Sequence, residues 1–228
     1  MKILIVTCSE IETGPILKAF TKVKSVQEDL FQLRGHTGQI LLLQSKPGMV
    51  ALAYRLGIYL QNDRPDLIIN AGICGSFDEK IPPGDVLLVT EDKFADLGAD
   101  SGKGFIDIFE MGLYAKDEFP FQEGVLYADQ GTYENLFSAF KKVRGITVNK
   151  VSGSQKNIDF LKNKYSPQIE TMEGAAFHYV CRNEKLNFAQ IRAVSNLVEE
   201  RNKKKWNIPL AIDNLAISLK KLIDQFNE

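Results

Sequence analysis

The sequence is poor in histidine, cysteine and tryptophan, and each shortage narrows the chemistry that the chain can perform. Its 228 residues include two histidines, His36 and His178, three cysteines and one tryptophan. No HExxH motif and no cluster of histidines with cysteines is present, so a catalytic zinc site is not expected. Each histidine is expected to be structural or on the surface. The cysteines lack a CxxC spacing, which predicts free thiols in a reducing cytoplasm.

Several motifs and long apolar runs are missing as well. The chain has no GxGxxG, no P-loop and no GxSxG elbow, so we expect no metal and no nucleotide cofactor. With 28 basic and 29 acidic residues the net charge is -1, which favours neither nucleic acid nor an acidic membrane as a partner. The first apolar run, Ile3 to Thr7, is too short for a signal peptide or a membrane span and is typical of a β-strand.

What the chain does have is an alternation of short apolar runs with helical patterns. We predict strands at 2–7, 39–44, 66–70, 85–90, 124–128, 146–151 and 188–194, and helices at 11–20, 48–62, 131–142, 155–164 and 173–185. A last helix follows Asn207, a predicted N-cap, with Pro209 in its first turn. This alternation predicts one α/β domain, residues 1–228, with three α/β/α layers around a central mixed, largely parallel sheet. Residues 95–105 are expected to form an irregular surface excursion.

Ligands of such sheets bind where strands end, and the first two strand ends carry candidate residues. After the first strand, Glu10 and Glu12 lie in a predicted first helical turn, where a carboxylate either favours the helix dipole or serves as a base. After 66–70, the sequence NAGICGSF places Gly72 and Gly75 around the apolar Ile73. These glycines predict either a tight turn or a loop whose backbone approaches a ligand.

The other two strand ends lie in the C-terminal third. Glu173 precedes the small residues Gly174 to Ala176, and is either a helix cap or a ligand-binding carboxylate. Glycine costs a helix about 1 kcal/mol relative to alanine, so a ligand or tight packing of the helix on the sheet must justify it. Asn196 is either a turn residue or a planar amide offered to a ligand. Trp206 is expected to be a lid or a core plug.

Read together, MKILIVTCSEIE, NAGICGSF, ETMEGAAFHYVC and FAQIRAVSN resemble the nucleoside phosphorylase/nucleosidase superfamily. The MEGAA and RAVSN pair is the specific part of this resemblance. Within the superfamily, the stretch from residue 188 to 215 is similar to the futalosine hydrolases. The resemblance implies a nucleoside phosphorylase-like fold, a small-molecule nucleoside substrate and a homo-oligomer, with a homodimer as the expected form.

The resemblance also implies roles for individual residues. Met172 and Glu173 match a ribose-binding Met-Glu pair, and Glu12 matches a water-activating glutamate. Gly72 and Ile73 belong to a glycine loop near base and sugar. Asn196 stands where adenine-specific members place an aspartate. The candidate catalytic residues are therefore Glu12, Glu173 and Asn196, and small residues after Glu173 would leave room for a sugar across the helix start.

Departures from the superfamily pattern refine the expected activity. The phosphorylases carry a Gly-Asp-Pro-x-Arg loop after the first strand, whereas this chain has Glu12-Thr13-Gly14-Pro15, so hydrolysis is favoured over phosphorolysis. An asparagine amide can bond a 6-oxopurine but cannot protonate a base, so Asn196 indicates hypoxanthine rather than adenine. The first hypothesis is hydrolysis of futalosine. The alternatives are a methylthioadenosine/S-adenosylhomocysteine nucleosidase and a non-catalytic nucleoside sensor. No purine-stacking aromatic is identified near 155–158, and Lys46, Arg201 and Lys203 to Lys205 are candidates for the substrate's tail by charge alone.

Overall fold

A computed structural model describes residues 1–34, 38–102 and 104–227 of the chain. His36 lies outside these residues, so its predicted structural or surface role is not addressed. None of the helices in the described part of the chain is long and apolar enough to cross a bilayer.

Among the described residues, five α-helices and twelve strands follow one another along the chain. The helices are α1 (Glu10–Ala19), α2 (Met49–Asn62), α3 (Gln155–Tyr165), α4 (Gly174–Asn183) and α5 (Ile208–Asp224). The first six strands are β1 (Lys2–Thr7), β2 (Val23–Gln27), β3 (Leu30–Leu33), β4 (Gln39–Gln44), β5 (Leu67–Ser76) and β6 (Val86–Asp92). The others are β7 (Gly98–Asp100), β8 (Phe105–Asp107), β9 (Leu126–Tyr127), β10 (Lys141–Thr147), β11 (Ile169–Thr171) and β12 (Phe188–Leu197).

The central sheet, as the described residues form it, has ten strands and is mixed, as predicted. It is not largely parallel, because five of its ten strand pairings are antiparallel. Its order is β11-β10-β6-β12-β5-β1-β4-β3-β2, with β9 paired to β6. Strand β5 pairs in parallel with β1 and β12, while β12 pairs antiparallel with β6. Strand β11 also pairs antiparallel with the end of β5, so β5, β12, β6, β10 and β11 close into a ring. The ring brings the ends of β5, β11 and β12 together.

Helices cover both faces of the sheet, which confirms the three-layer architecture. On one face, Ile16 of α1 and Leu215 of α5 pack against Ile5 and Ile69 of the sheet. On the other face, Leu56 of α2 and Phe177 of α4 pack on the opposite sides of the same strands. Side chains alternate between the faces of a strand, so strands buried on both sides are apolar almost throughout.

Two α-helices begin with a side-chain cap, and the one at Asn207 was predicted. The Ser9 hydroxyl accepts a hydrogen bond from the Glu12 N–H at 3.4 Å, and Asn207 Oδ1 accepts one from the Leu210 N–H at 3.3 Å. Each side chain satisfies a first-turn N–H that has no partner within its helix. Pro209 lies in the first turn of α5, as predicted, where its missing N–H costs no helical hydrogen bond.

Several predicted elements were wrong or missed. Residues 131–142 are not an α-helix, because 131–137 form a 3-10 helix and β10 begins at Lys141. The segment 95–105 contains β7 and the start of β8, which pair as a two-stranded sheet rather than an irregular excursion. Strand β10 ends at Thr147, so the predicted strand 146–151 was placed too late. Strand β2 was missed because all five of its residues are exposed, which leaves no apolar alternation to read.

Candidate active site

A cavity of about 330 Å³ lies at the ends of β1, β5, β11 and β12 and contains most of the predicted site residues. Larger depressions elsewhere on the described chain are lined by other residues. The residues lining the cavity are Cys8, Ser9, Glu12, Pro47, Ile73, Cys74, Gly75, Val151, Ser152, Glu170, Thr171, Met172, Glu173, Ser195, Asn196, Val198, Arg201 and Trp206. The sheet therefore brings all four predicted strand ends into one cavity.

Glu12 projects from the first turn of α1 toward the end of β5. Its side chain is buried, with 6% of the residue exposed. One carboxylate oxygen accepts from the Cys8 N–H at 3.1 Å and from the Ser9 hydroxyl at 2.9 Å, which is local, cap-like bonding. The other oxygen accepts from the Ile73 N–H at 3.0 Å, across 61 residues of sequence. Glu12 thus bonds locally at its helix start and also reaches into the cavity.

Glu173 is the residue before α4, but its side chain makes no hydrogen bond to that helix. One carboxylate oxygen instead accepts from the Gly48 N–H at 2.9 Å. The residue is 7% exposed. Burial raises the pKa of Glu173, the charge of Arg192 lowers it, and the nearby carboxylate of Glu12 raises it further. Of the two roles that the sequence left open for Glu173, a side-chain cap of its own helix was wrong.

Cys8 stands between these two carboxylates in the cavity wall. Burial raises the pKa of its thiol, and the charges of Glu173 and Glu12 raise it further. The thiol therefore stays protonated at neutral pH, and it lacks the thiolate character that a nucleophilic cysteine requires. All three cysteines are free, as predicted, and buried.

The predicted substrate-binding residues around the glycine loop separate into two groups. Ile73 and Met172 line the cavity. Gly72 does not itself line it, and its predicted contact with the ligand stays a prediction. A Cβ at Gly72 would collide with Nη1 of Arg192 and with Oε1 of Glu12. Gly72 is therefore needed to let these two charged side chains approach the sheet.

Asn196 lines the cavity beside a β-bulge in β12. The Ser195 hydroxyl donates to its Oδ1 at 2.8 Å, and its amide nitrogen donates to the Leu197 carbonyl at 2.9 Å. These two bonds fix which end of the amide carries the hydrogens. The second N–H of the amide is the group that Asn196 can offer to a ligand.

Gly174 is small because the start of α4 packs closely on buried side chains. A sugar lying across the helix start stays a prediction. A Cβ at this position would collide with Oδ2 of Asp92 and with the side-chain amide of Gln190. Ala175 is fully buried against Phe121 and Leu126. Tight packing of the helix on the sheet, the alternative left open from the sequence, explains the small residues.

Beneath the cavity lies a buried polar network that the sequence reading missed. With its amide nitrogen directed at Asp92 and His178, Gln190 donates to Asp92 Oδ2 at 3.2 Å and to His178 Nε2 at 2.8 Å. The Gln190 oxygen accepts from Arg192 Nε at 3.2 Å. The His178 Nδ1–H donates to the Leu126 carbonyl at 2.9 Å, so this histidine is structural, as predicted.

Burial sets the protonation of this network. It raises the pKa of Asp92 to about 7, although a hydrogen bond from Thr147 and the charge of Arg192 lower it. It lowers the pKa of His178 to about 4, so the ring is neutral at physiological pH. The hydrogen bonds of Gln190 to Asp92, His178 and Arg192 hold these four side chains in one arrangement.

Arg192 was not predicted as a site residue, although the sequence carried a signal. It is fully buried in β12, where its guanidinium donates to Asn70 Oδ1. Its Nη1 has no hydrogen-bond partner among the described residues and lies over Gly72 beside Glu12. The signal was the alternation of Gln190 and Arg192 in an otherwise apolar strand, because a buried charge needs partners to be tolerated.

The segment 199–207 forms one wall of the cavity. Arg201 and Trp206 line it, and the Arg201 guanidinium lies 5.4 Å from the centre of the Trp206 ring. Trp206 is thus a wall residue, closer to the predicted lid than to a core plug. It is the single aromatic among the described residues of the lining. Lys205 forms an ion pair with Glu199 at 2.8 Å. Of the cations proposed for a substrate tail, Arg201 is the one that lines the cavity.

No group of three or more histidine, cysteine, aspartate and glutamate side chains within residues 1–34, 38–102 and 104–227 is arranged to hold a metal ion. The absence of a cofactor remains a prediction from the sequence.

Comparison with known proteins places this site in a family. Residues 2–224 match the family model described as "Phosphorylase superfamily", and the chain belongs to this superfamily. A 5'-methylthioadenosine/S-adenosylhomocysteine nucleosidase of Psychromonas ingrahamii is 25% identical over 83% of this chain and 82% of its own. A futalosine hydrolase of Thermus thermophilus is 27% identical over 79% of this chain and 80% of its own.

Solved structures show the same fold. A futalosine hydrolase of Helicobacter pylori has a TM-score of 0.77 at 17% identity, covering 99% of this chain and 98% of its own. An S-adenosylhomocysteine nucleosidase of Streptococcus pyogenes, in complex with 5-methylthiotubericidin, has a TM-score of 0.82 at 21% identity, covering 99% and 97%. These matches confirm the predicted nucleoside phosphorylase-like α/β fold.

Proposed function

We propose that this chain is a nucleosidase that hydrolyses the N-glycosidic bond of futalosine, releasing hypoxanthine and dehypoxanthine futalosine in menaquinone biosynthesis. One observation carries the proposal: two buried carboxylates, Glu12 and Glu173, line one cavity together with the oriented amide of Asn196. The relatives support nucleosidase activity in general. The choice of futalosine depends on Asn196.

The first part of the mechanism concerns the sugar. Cleavage of an N-glycosidic bond builds positive charge at the anomeric carbon, as in glycoside hydrolysis. Glu173 is placed to accept hydrogen bonds from the ribose hydroxyls, because one of its oxygens is fixed by Gly48 at 2.9 Å and the carboxylate lines the cavity. A carboxylate held in this way stabilises the developing charge without reorganising during the reaction.

The second part concerns the attacking water. Glu12 is held from two sides, by Cys8 and Ser9 locally and by Ile73 across the cavity. It is proposed to take a proton from water as the oxygen bonds to the anomeric carbon. The guanidinium of Arg192, which shares the space over Gly72, offsets the charge of the two carboxylates.

The third part concerns the leaving base. The Ser195 hydroxyl holds Oδ1 of Asn196, so the amide presents an N–H to the cavity. This N–H can donate to N7 or O6 of a 6-oxopurine, whose anion leaves more readily when it is hydrogen-bonded. An asparagine cannot transfer a proton to N7, which adenine would require. The side chain at position 196 therefore favours hypoxanthine as the leaving base.

Hydrolysis is favoured over phosphorolysis by the walls of the cavity. The loop after β1 supplies Cys8, Ser9 and Glu12 to the lining, and Ile73 adds an apolar surface. A phosphate co-substrate would meet the Glu12 carboxylate and an aliphatic side chain in this region, whereas phosphate sites are built from cations and backbone N–H groups. Water is a neutral nucleophile and encounters no such repulsion.

The second candidate is a methylthioadenosine/S-adenosylhomocysteine nucleosidase. It is favoured by the Psychromonas ingrahamii relative, whose 25% identity is close to the 27% of the Thermus thermophilus futalosine hydrolase. Asn196 argues against it for the reason given above. A non-catalytic nucleoside sensor would not need Glu12 held in position to activate water.

One experiment separates these possibilities. The purified chain is incubated with futalosine, aminofutalosine, inosine and methylthioadenosine, with and without phosphate, and the free base is measured by chromatography. We expect hypoxanthine from futalosine without phosphate. Faster release of adenine from methylthioadenosine would overturn the futalosine proposal, and a strict need for phosphate would overturn hydrolysis. Binding of nucleosides without release of any base would establish the sensor.

We also propose a homodimer in the cytoplasm. The proposal rests on the family resemblance and on the free cysteines, and sedimentation velocity of the purified chain tests the dimer. A monomer at micromolar concentration would contradict it.

A further inference from the structure

We propose that Glu170 reads position 1 of the base and so determines the preference for a 6-oxopurine, an inference that rests on the proposed function and adds to it a specificity residue. Neither the mechanism above nor the sequence analysis gave Glu170 a role. It lines the same cavity as Asn196 and is 5% exposed. A buried carboxylate in a cavity wall needs a positively polarised partner to offset its desolvation.

The register of the sheet places Glu170 and Asn196 on either side of the cavity floor. Glu170 of β11 is paired with Gly75 of β5, and Asn196 of β12 is paired with the same Gly75 from the other side. Paired residues on neighbouring strands project to the same face. Strands lie about 4.8 Å apart, so the two backbones are separated by roughly 10 Å. Gly75 has no side chain, and Cγ2 of Val198 lies over it, so the floor between them is an apolar surface against which a flat ring can lie.

The hydrogen bonds of Glu170 hold it as an acceptor. The Ser152 N–H donates to Oε1 at 2.9 Å, and the Ser152 hydroxyl donates to Oε2. The hydroxyl oxygen in turn accepts from the Asn157 amide at 3.1 Å. Every donor in this chain points toward the carboxylate. A carboxylate has about four lone-pair positions, so acceptor capacity remains for a group in the cavity.

This arrangement distinguishes the two purine classes at one atom. A 6-oxopurine carries a hydrogen on N1, next to the acceptor O6, whereas N1 of adenine is a bare acceptor. When Asn196 donates to N7 or O6, the adjoining edge of the ring faces Glu170 across Gly75. The carboxylate then accepts the N1–H of hypoxanthine, but it would face a lone pair on adenine. Donor and acceptor on opposite sides of the floor match the O6 and N1–H pair.

The test compares binding of hypoxanthine with binding of 1-methylhypoxanthine and adenine by calorimetry. We expect the wild-type chain to bind hypoxanthine about 10- to 100-fold more tightly than 1-methylhypoxanthine, the range for a hydrogen bond to a charged group. Glu170→Ala should lose most of that ratio through weaker binding of hypoxanthine. Glu184→Ala, which removes an exposed carboxylate paired with Arg64, is the matched control and should keep the ratio.

Two further variants keep the test decisive. Glu170→Gln preserves the volume, and its amide N–H can serve N1 of adenine, so the preference for hypoxanthine over adenine should fall. Ser152→Ala leaves the carboxylate but removes one donor to it. The preference for hypoxanthine over 1-methylhypoxanthine should therefore fall less than in Glu170→Ala. Far-ultraviolet circular dichroism and the melting temperature establish that each variant is folded.

The outcomes separate this inference from the proposed function. If the wild-type chain releases base from adenine nucleosides alone, the proposed function fails. If it prefers hypoxanthine, but folded Glu170→Gln keeps the full preference over adenine and over 1-methylhypoxanthine, Glu170 does not read position 1 and this inference alone is overturned. A wild-type chain that binds hypoxanthine and 1-methylhypoxanthine equally also overturns it.

Discussion

Glu173 accepts a hydrogen bond from the backbone N–H of Gly48 at 2.9 Å, although the two residues are 125 positions apart in sequence. Gly48 is the N-cap residue directly before α2, and it has no side chain that could cap that helix. A carboxylate is stabilised near a helix N-terminus by the partial positive charge there. The Glu173 side chain therefore hydrogen-bonds the backbone at the start of α2 and not that of α4. This bond directs its carboxylate to the cavity.

This relationship predicts the behaviour of Glu173 variants. Glu173→Ala should weaken both substrate binding and turnover, because hydrogen bonds to a charged group contribute about 1.5–3 kcal/mol. Kinetics on inosine and on 2′,3′-dideoxyinosine provide the measurement, since the dideoxy substrate lacks the hydroxyls. Glu173→Gln keeps an oxygen for Gly48 and is the structural control. An equal loss on both substrates would make Glu173 structural.

Glu12→Gln should lower turnover by about two to four orders of magnitude, the usual range for loss of a general base. The amide still has an oxygen that can accept from Ile73, so substrate affinity should change much less. Steady-state kinetics give both quantities. Glu10→Gln, at an exposed position of the same helical turn, is the control. Turnover near the wild-type value would reduce Glu12 to its cap-like bonds with Cys8 and Ser9.

Asn196→Asp should lower activity on futalosine at neutral pH and move the optimum toward acid. The amide nitrogen of Asn196 lies 2.9 Å from the Leu197 carbonyl. An ionised aspartate would place an oxygen against that carbonyl, so the carboxyl must be protonated to fit and its pKa must rise. Initial rates against pH for both proteins test this. An unchanged pH profile with an unchanged base preference would mean that residue 196 does not touch the base.

The buried Asp92 and His178 predict a specific dependence of stability on pH. Burial raises the pKa of Asp92 from 3.8 to about 7, so the folded state binds more protons in that range and stability falls as pH rises. Burial lowers the pKa of His178 from 6.5 to about 4, so stability rises with pH between those values. The two effects on stability oppose each other between about pH 4 and pH 6.5.

Asp92→Asn removes one of the opposing effects. We expect the melting temperature of this variant to rise more steeply between pH 4 and pH 6.5 than that of the wild-type chain. Differential scanning calorimetry in a pH series measures both slopes. Asp213→Asn, at an exposed position of α5, is the control. Parallel curves for wild type and Asp92→Asn would show that Asp92 does not titrate in this range.

Most helices and the core strands could be predicted because their signals are local. The apolar spacing of α5 and the cap at Asn207 lie within one segment, and β1 and β4 have continuous apolar runs. Arg192 was missed because its burial is compensated by Asn70, 122 residues away, and by Gln190. Glu170 was not predicted as a site residue, because its position at the cavity depends on the pairing of β11 with β5. Contacts between distant segments cannot be read from periodicity.

The contact between Gly174 and Asp92 has a consequence for evolution within the superfamily. Any side chain at position 174 would occupy the volume of the Asp92 carboxylate and the Gln190 amide. A lineage that acquires alanine at 174 must therefore move or replace the side chain at 92 or at 190. Residues 92 and 174 are expected to covary, so their joint identity can sort relatives into lineages that keep this buried carboxylate and lineages that replaced it.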